Sequence, residues 1–600
     1  MNHRPLRRLR ARAMAGLAVA ALAGSWLVSA PARAGAADTS VSIDLSRPGA
    51  APSHAGSGFL YGLSQDGSGP ADSLLQPLAP TLFRGGGARL AGGGWLGDGY
   101  RAGSGYQARI DSALSQARRV TGAPYHATYH LLVSDLWGAD TTQPADTVYP
   151  CDNGDCSNWA AFVDRVVGDV RASGVSVAYD IWNEPDGTGF WQRGVNSAQY
   201  YRMWDTAVRE IRRLQPSAVV VGPSYSGYNH GWLDGFLGQT KADGTLPDVV
   251  NWHFGADPAA DNADAGALMA AHGVPARPTT INEYLFSQQQ NAGYTAWFLD
   301  RLAVSGVSQA AHAIWSDCCT SPSLDSLLTA GGQPTGQWWT YRAYARMSGA
   351  TVASTSSGAI AVAGSRDQAA ATAYALLGSN SGQSGATTLN VTGLAATPWL
   401  VGANGKVHVL VQRIPDVAPL DAPLTVQDAD VAVSAGSTLS VPVSYVSGTD
   451  AYAVTLTPGN GSGSGGTTTV VDGTVTGGGA DYFTYGANWG VTTGVPDMYA
   501  GTANWSYVAG ATAGFHFQGS RVALHAVRDV DQGIFSVSVD GGPAVAVDGY
   551  APARNASGVV WTSPVLSPGA HTLTLVNTGQ RNGASSGNNV AIDRADVTAP

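Results

Sequence analysis

The chain has 600 residues and a mass of 61.5 kDa, too long for a single domain at about 100–200 residues per domain. Apolar residues make up 44% and aromatic residues 9%, which allows large cores and argues against wholesale disorder. The formal net charge is −10, yet residues 1–34 hold six arginines and no acid. The remainder, with 27 basic and 43 acidic residues, carries −16, which excludes nucleic acids, anionic membranes and other polyanions as expected partners but permits a neutral polymer.

Residues 1–34 have the pattern of a signal peptide. A basic segment (Arg4–Arg12) precedes an apolar stretch (Met14–Ala30), and Ala32-Arg33-Ala34 supplies a small-x-small cleavage pattern. A membrane anchor is the weaker interpretation because the apolar run is short and rich in Gly and Ala. No later stretch reaches ~18 continuous apolar residues. We therefore expect a secreted, extracellular protein with no membrane association after signal cleavage; its oligomeric state is left open.

Residues 39–349 alternate short apolar runs with amphipathic stretches. Eight strands are predicted, at Gly58–Leu63, Leu82–Gly86, Thr128–Leu132, Val177–Ile181, Ala218–Gly222, Val249–His253, Thr279–Asn282 and Ala311–Trp315. Apolar residues at i, i+3 and i+4 predict helices at Ala108–Arg119, Trp159–Ala172, Ala198–Leu214, Ala265–His272 and Ala292–Ser305. This alternation predicts an α/β fold, a (β/α)8 TIM barrel. A doubly wound open sheet would need a Gly-rich phosphate turn after the first strand, where the chain has Tyr61-Gly62-Leu63-Ser64-Gln65.

The hydrophobic period changes to two after Gly349. Residues 350–458 predict a β-sandwich, with Pro442 on an edge strand and the strand-like Ser40–Leu45 as a candidate member. Residues 459–469 (GNGSGSGGTTT) predict a flexible linker. Residues 470–600 are again all-β and rich in aromatic residues. The predicted order is signal peptide, barrel, sandwich, linker and a second sandwich domain.

Four cysteines occur as two close pairs, Cys151 with Cys156 and Cys318 with Cys319. Export permits disulfides. Four cysteines allow three connectivities, and we prefer the one with two local bonds, Cys151–Cys156 and Cys318–Cys319. A CxxxxC spacing with no nearby His is a poor zinc pattern, so no metal site is predicted.

Two carboxylates are predicted at the active face of the barrel. Asp180-Ile181-Trp182-Asn183-Glu184-Pro185-Asp186 ends the fourth strand, and Thr279-Thr280-Ile281-Asn282-Glu283-Tyr284 ends the seventh. Two Glu facing each other across a barrel mouth suit glycoside cleavage, in which one protonates the leaving oxygen and the other attacks the anomeric carbon. Ionised Glu283 is expected to raise the pKa of Glu184 by like-charge repulsion. The alternative is structural, with Pro185 starting a helix that Asn183 or Glu184 caps.

Asn-Glu-Pro on strand four with Glu on strand seven resembles the signature of the clan GH-A retaining glycoside hydrolases. The Trp-Asn-Glu-Pro-Asp context and the attached sandwich are most similar to glycoside hydrolase family 39, with families 30 and 79 as competitors. The resemblance implies that Glu184 is the acid/base, that Glu283 is the nucleophile, and that Asn183 binds the sugar 2-hydroxyl. It implies no metal or organic cofactor. Asn282 stands where many relatives have Thr, so the family number and the substrate stay open.

Four other residues at predicted strand ends are candidate substrate-binding groups. Arg84 is expected to steer the nucleophile carboxylate or to bond sugar hydroxyls, with a barrel-mouth salt bridge as the alternative. His253 resembles the clan's pocket histidine, and Trp315 is expected to lie beneath the sugar in subsite −1, as in clan relatives. Core packing is the alternative for both. Tyr284 adjoins the nucleophile or only packs. The expected partner is a carbohydrate polymer or oligosaccharide of the xylan, arabinan or arabinogalactan class, and the alternatives are a noncatalytic carbohydrate-binding or adhesive protein and a transglycosylase.

The last domain resembles the carbohydrate-binding jelly rolls that are appended to secreted polysaccharide-degrading enzymes. The resemblance rests on Phe515–Ser520, Ser538–Gly542, Gly569–Leu573 and Ile592-Asp593. Trp489, Tyr499 and Trp505 are candidates for stacking on sugar rings, with core packing as the equal alternative. An inert spacer or a wall-attachment module is the other interpretation of this domain.

Overall fold

The structure, a computed structural model, describes residues 39–87, 104–140, 143, 147–315, 322–382, 385–434, 436–459, 468–479, 481–519, 521–556, 558–563, 566 and 569–598. The predicted signal peptide, the Cys318–Cys319 pair and linker residues 460–467 lie outside these ranges. Within them, every helix is too short or too polar to cross a membrane.

The strand that opens the described chain, β1 (Thr39–Pro48), belongs to a later sheet, and the next eight strands close into a parallel barrel. They are β2 (Gly58–Leu60), β3 (Leu82–Gly85), β4 (Thr128–Leu132), β5 (Ala178–Asp180), β6 (Val219–Gly227), β7 (Val249–Phe254), β8 (Thr279–Tyr284) and β9 (Gln309–His312). The described helices are α1 (Asp72–Leu75), α2 (Ser104–Thr121), α3 (Val133–Trp137), α4 (Ser157–Ser173), α5 (Ala198–Leu214), α6 (His230–Asp243), α7 (Pro258–Ala271), α8 (Ala292–Ala303) and α9 (Gly336–Ala345). The TIM-barrel prediction is confirmed.

Helix α5 illustrates how the sequence forms the outer layer of the barrel. Ser197 caps its start by accepting a hydrogen bond from the backbone N–H of Tyr200. Its buried residues recur at helical spacing and face the barrel: Tyr200, Met203, Trp204, Ala207, Val208 and Ile211. Helices α6 and α9 were not predicted, because their apolar residues are interrupted by Gly or spread around the helix.

Nine strands, β1 and eight strands after the barrel, form one continuous hydrogen-bonded path around a shared apolar core. They are β1 with β10 (Ala350–Thr355), β11 (Ile360–Asp367), β12 (Thr372–Ser379), β13 (Gly385–Thr392), β14 (Lys406–Ile414), β15 (Leu424–Ala432), β16 (Leu439–Tyr445) and β17 (Ala451–Pro458). Strand β1, which contains the predicted Ser40–Leu45, pairs with β10 and β13. Pro442 lies on β16, the edge strand at one end of the path, as predicted.

The C-terminal module, residues 468–598, has two sheets that enclose a second core. Its strands are β18 (Thr468–Asp472), β19 (Tyr482–Tyr485), β20 (Gly490–Thr493), β21 (Thr502–Ser506), β22 (Thr512–Gly519), β23 (Arg521–Ala526), β24 (Ile534–Val539), β25 (Val545–Asp548), β26 (Val559–Thr562), β27 (Gly569–Gln580) and β28 (Val590–Thr598). One sheet has the order β20-β21-β28-β23-β26, with β18 also on β28, and the other β19-β22-β27-β24-β25. Strand β18 begins inside the predicted linker because Thr468 and Thr469 already pair with β28.

The Cys151–Cys156 disulfide is present, as predicted. It closes a loop on the same side of the barrel as the carboxyl ends of the strands. Within this loop Asp152 accepts hydrogen bonds from Arg193 and Gln199. The carboxylate of Asp152 is therefore engaged in tying the loop to the segment that leads into α5.

Candidate active site

Four of the predicted side chains meet at the carboxyl end of the barrel. Arg84 lies in β3, His253 in β7 and Glu283 in β8, and Glu184 lies in the loop after β5. The strands are parallel, so their carboxyl ends open at one mouth although the residues are far apart in sequence. The structure thus brings Arg84, Glu184, His253 and Glu283 together.

The two carboxylates share one histidine. Nδ1 of His253 lies 3.1 Å from Oε1 of Glu184 and 3.6 Å from Oε1 of Glu283. The histidine side chain is fully buried, whereas those of Glu184 and Glu283 keep 18% and 13% of their surface exposed. One carboxylate oxygen of each glutamate and one ring nitrogen of His253 all lie within 4.8 Å of one another. Both carboxylates therefore open onto the same small space.

Arg84 orients the site from below through three hydrogen bonds. Its buried guanidinium donates from Nε to Oδ2 of Asp180 at 2.7 Å and from Nη1 to Oε1 of Glu283 at 2.8 Å. Nη2 donates to Oδ1 of Asn183 at 2.9 Å. The planar fork fixes Glu283 and Asn183 at once, and the amide nitrogen of Asn183 is left as its group for a ligand.

Asp180 supports this arrangement and was not predicted as a site residue. Its carboxylate is fully buried and accepts from Arg84, from Oγ of Ser224 at 2.6 Å and from Nδ2 of Asn282 at 2.9 Å. Asn251 in turn donates to Oγ of Ser224 at 2.7 Å. A buried carboxylate with four or more lone-pair positions needs several donors, and this network supplies them. Asp180 opens the Asp180–Asp186 segment that contains Glu184, at the end of the fourth barrel strand, and this position was the signal that could have identified it.

The network also explains the departure at Asn282. Its side chain points away from the mouth, donating to Asp180 and accepting from the hydroxyl of Thr280 at 2.7 Å. The residue before Glu283 therefore ties β8 to β5 beneath the two carboxylates.

Glu184 has an unusual backbone. Its φ of +43° lies in the left-handed region, which is uncommon for a residue with a side chain. The conformation is held from β6, because the N–H of Glu184 donates to the carbonyl of Ser224 at 2.9 Å. Ser226 fixes the next turn by donating its N–H and its hydroxyl to the carboxylate of Asp186. These contacts set where the Glu184 carboxylate points.

The two carboxylates have pKa values shifted in opposite directions. Burial has the largest effect on both and favours the protonated form. At Glu283 burial prevails over the charges of His253 and Arg84, with the charge of Glu184 adding to it, so the pKa is raised. At Glu184 the hydrogen bond and charge of His253, with the charge of Arg84, outweigh burial, so the pKa is lowered. The expectation that Glu283 would raise the pKa of Glu184 is wrong in this structure, because His253 bonds to Glu184.

Trp315 lies in the loop after β9, with 46% of its surface exposed, rather than at the end of a strand. The strand stops at His312, and the backbone N–H of Trp315 bonds to Asp325 instead of a neighbouring strand. Its ring lies 5.8 Å from that of Phe254, which stacks on Phe286 at 4.0 Å. These two phenylalanines were not predicted, although each follows a predicted site segment. The three rings form an aromatic surface at the rim of the mouth.

A pocket of about 480 Å³ adjoins this aromatic surface. It is lined by Ser226, Gly227, Tyr228, Phe254, Gly255, Ala256, Leu285, Phe286, Gln289, Tyr294, Trp297 and Phe298. Neither carboxylate is among the residues that line it, so this pocket lies beside the aromatic surface rather than between Glu184 and Glu283.

Tyr284 does not face the site. Strand β8 is irregular between Ile281 and Tyr284, and after this irregularity the Tyr284 side chain points into the packed layer between barrel and helices. It is fully buried, stacks on Phe298 and donates its hydroxyl to the carbonyl of Gly56 at 2.6 Å. The prediction of Tyr284 as a substrate-binding residue is wrong for this reason.

Glu184, His253 and Glu283 also offer donor atoms of the kind that bind cations. In this structure those atoms are already engaged, by the hydrogen bond between His253 and Glu184 and by the ion pair of Glu283 with Arg84. A cation would have to compete with the Arg84 guanidinium, so the arrangement suits acid–base chemistry better than metal binding.

No protein-family model matches the chain. A curated relative, the 3-O-alpha-D-galactosyl-alpha-L-arabinofuranosidase of Bifidobacterium longum subsp. longum, is 24% identical over 338 residues, which are 49% of this chain. The chain spans only 28% of that enzyme's length.

Two solved structures are similar over the whole of their own length. They are N2152 from Neocallimastix frontalis (24% identity, TM-score 0.58, 70% of this chain) and the GH39 enzyme from Xanthomonas axonopodis pv. citri (15% identity, TM-score 0.50, 72% of this chain). These likenesses confirm the (β/α)8 barrel fold of the chain.

Proposed function

We propose that the protein is a secreted retaining glycoside hydrolase that cleaves a plant-type polysaccharide or oligosaccharide of the xylan, arabinan or arabinogalactan class. The observation that carries the proposal is the pair of carboxylates at the carboxyl ends of β5 and β8, with one oxygen of each within 4.8 Å of the other. Retaining glycosidases place their carboxyl groups about 5–5.5 Å apart, whereas inverting enzymes need about 6.5–9.5 Å to hold a water between them. The name of the bifidobacterial relative supports a pentose-containing substrate.

The reaction is a double displacement in which Glu283 is the nucleophile. Arg84 bonds to Oε1 of Glu283, so Oε2 is the oxygen left to attack the anomeric carbon. Glu184 has Oε1 on His253 and uses Oε2 to protonate the leaving oxygen. In the second step Glu184 takes a proton from the water that breaks the bond between Glu283 and the sugar. The amide nitrogen of Asn183 binds the sugar 2-hydroxyl beside the bond that breaks.

His253 is a positioning residue that influences which of the two carboxylates, Glu184 or Glu283, carries the proton. Reaction requires the proton on Glu184 and the charge on Glu283, whereas the pKa directions of the unreacted site favour the reverse. Because Nδ1 of His253 bonds to Glu184, the histidine sets how easily the proton reaches Glu184.

Replacing His253 with Leu, which removes the donor and its charge at similar volume, is expected to raise the pKa of both carboxylates. His253 lowers the pKa of each, so its loss raises both. Glu283 then ionises at higher pH and Glu184 stays protonated to higher pH. The whole pH profile of kcat/KM is therefore expected to move to higher pH. His272→Leu, at a histidine that pairs with Asp234 outside the site, is the control and should leave the profile unchanged. An unshifted profile for His253→Leu would contradict the role.

Secretion belongs to the same proposal. It is supported by the signal-peptide pattern of residues 1–34 and by the Cys151–Cys156 disulfide, which is typical of an oxidising compartment.

The test is sugar release from xylans, arabinans, arabinogalactans and β-glucans, together with 4-nitrophenyl β-D-xyloside and α-L-arabinofuranoside. We expect release from at least one pentose-containing substrate, with the first product having the anomeric configuration of the substrate by ¹H NMR. A first product of inverted configuration would refute the two-step mechanism. Binding of a polysaccharide without any release would favour the noncatalytic alternative, and products longer than the substrate would favour the transglycosylase.

A further inference from the structure

The pocket of about 480 Å³ beside the aromatic surface, called here the rim pocket, lies between helix α8 and the carboxyl ends of β6, β7 and β8. Its volume is in the range of small-molecule sites. Aromatic side chains from these elements and from the turns that follow them form most of its walls: Tyr228, Phe254, Phe286, Tyr294, Trp297 and Phe298. Walls of this kind favour a flat apolar ligand.

The rim pocket adjoins the side of the candidate active site from which a leaving group departs. Ser226, which lines the pocket, bonds to Asp186, two residues after Glu184. Phe254, on another wall, directly follows His253, whose Nδ1 lies 3.1 Å from Glu184. Glu184 is the proposed proton donor to the leaving oxygen, so the leaving group lies on this side. A substituent on the leaving group can therefore reach the pocket across the aromatic surface.

The hydroxyl and amide side chains of the rim pocket are already bonded to the protein. The hydroxyls of Ser226 and Tyr228 each donate to a carboxylate at 2.5 Å. Oε1 of Gln289 accepts from the backbone N–H of Phe286 at 2.8 Å, and its Nε2 donates to the hydroxyl of Tyr294 at 2.9 Å. A further sugar residue would bury several hydroxyls that need partners of their own, whereas an aromatic ring would not.

The rim pocket is also uncharged. The described residues that line it include no Asp, Glu, Lys, Arg or His. A charged group would lose hydration on entering and would meet no opposite charge in the walls. The carboxylates of Asp186 and Asp264 lie behind the walls, bonded to Ser226 and Tyr228, so an anion would also meet negative charge. These features select a neutral ligand.

The wall nearest the mouth has a fixed shape. Leu285 has a φ of +68°, in the left-handed region, and this turn leaves Leu285 buried and Phe286 40% exposed. Phe286 stacks on Phe254 with ring centres 4.0 Å apart. The carbonyl of Leu285 accepts from Nε1 of Trp315 at 2.9 Å, which ties the third ring of the aromatic surface to the same turn. A wall that is already formed loses little entropy when a ligand binds.

We propose that the rim pocket binds a neutral aromatic group on the leaving side of the glycan, either an aromatic aglycone or an aromatic ester carried by the leaving sugar. The inference rests on the proposed function, which makes Glu184 the proton donor. The aromatic ring is buried against Phe286 and Trp297, while the sugar hydroxyls stay at the mouth of the barrel. Glycosides with such a group are expected to have a higher kcat/KM than the same glycosides without it.

Binding is tested first, because it does not require hydrolysis. The full chain carrying Glu283→Gln is titrated calorimetrically with methyl ferulate, a neutral aromatic ester, with the ferulate anion, and with the cation phenyltrimethylammonium. We expect methyl ferulate to bind at least about tenfold more tightly than either ion. Trp297→Ala and Phe286→Ala are each expected to weaken this binding at least about threefold. Trp399→Ala removes a partly buried tryptophan that packs on the core of the nine strands, and should bind as the parent does.

Hydrolysis then distinguishes the two sources of the aromatic group. For an aglycone, 2-naphthyl glycosides are compared with 4-chlorophenyl glycosides, whose leaving phenols have similar acidity. For an ester, an arabinoxylan oligosaccharide with a feruloyl group on the leaving side is compared with its saponified form. The source that occupies the pocket should raise kcat/KM at least about threefold in the parent, and this advantage should be lost in Phe286→Ala. Thermal unfolding of each variant shows whether the chain is still folded.

The proposal is overturned if methyl ferulate does not bind, if both pocket variants bind it like the parent, or if either ion binds more tightly. Hydrolysis without an aromatic preference that Phe286→Ala removes would also overturn it, while leaving the proposed function intact. Binding that depends on Trp297, in a chain that hydrolyses nothing, would support the aromatic site while refuting the proposed function.

Discussion

Replacing Glu283 with Gln is expected to lower kcat/KM on an aryl glycoside by about 10⁴-fold or more, because the carboxylate that forms the covalent intermediate is gone. The amide has the same size, and its oxygen can still accept the hydrogen bond from Arg84. The loss would therefore come from chemistry rather than from collapse of the site. Glu210→Gln, at a partly buried glutamate on α5 that pairs with Arg213 outside the site, is the matched control and should keep full activity.

A shorter side chain gives a sharper form of this test. Glu283→Ala leaves space where the nucleophile was, and azide added to the solution can attack the anomeric carbon from that side. The expected product is a glycosyl azide of inverted configuration, identified by NMR. Activity of Glu283→Gln equal to that of the parent, or a glycosyl azide of retained configuration from Glu283→Ala, would remove Glu283 as the nucleophile.

The fold could be predicted from the sequence because its signals are local. The barrel strands are short apolar runs, and helices such as α5 have apolar residues at regular spacing. Each of these elements can therefore be identified from about ten consecutive residues. Helices α6 and α9 were missed where this spacing is irregular. The end of β9 was misplaced because the backbone N–H of Trp315 bonds to the side chain of Asp325 in the following loop instead of a neighbouring strand, and the apolar run alone does not indicate this contact.

The candidate site could be predicted in part. Glu184 and Glu283 stand in recognisable motifs, and barrel geometry alone brings their strands to one mouth. Asp180 could not be assigned its role, because its partners Arg84 and Asn282 lie 96 and 102 residues away and act only in the folded state. The pKa directions were missed for a related reason. They depend on the contact between His253 and Glu184, which in turn depends on the left-handed backbone at Glu184.

Replacing Glu184 with Ala is expected to affect substrates according to how much their leaving group needs a proton. For unactivated glycosides, kcat/KM should fall by about 10²–10⁴-fold, the usual contribution of a general acid. For a 2,4-dinitrophenyl glycoside, whose leaving group departs unprotonated, kcat/KM should change by less than about tenfold. The intermediate on Glu283 then accumulates, because Glu184 is also the base of the second step, and an initial burst of dinitrophenol is the expected signal.

Azide distinguishes this assignment from the reverse one that the pKa directions alone would favour, with the more acidic Glu184 as nucleophile. In Glu184→Ala, azide needs no base and should attack the intermediate on Glu283, restoring turnover and giving a glycosyl azide of retained configuration. If Glu184 were the nucleophile, the same variant would give the inverted azide and no burst. The ion pair with Arg84 at 2.8 Å favours Glu283, because a cation held against one carboxylate oxygen stabilises the charge that the attacking group must carry. The raised pKa of Glu283 then reflects its burial. When the bound substrate draws the proton onto Glu184, Glu283 is left as the charged carboxylate that Arg84 stabilises.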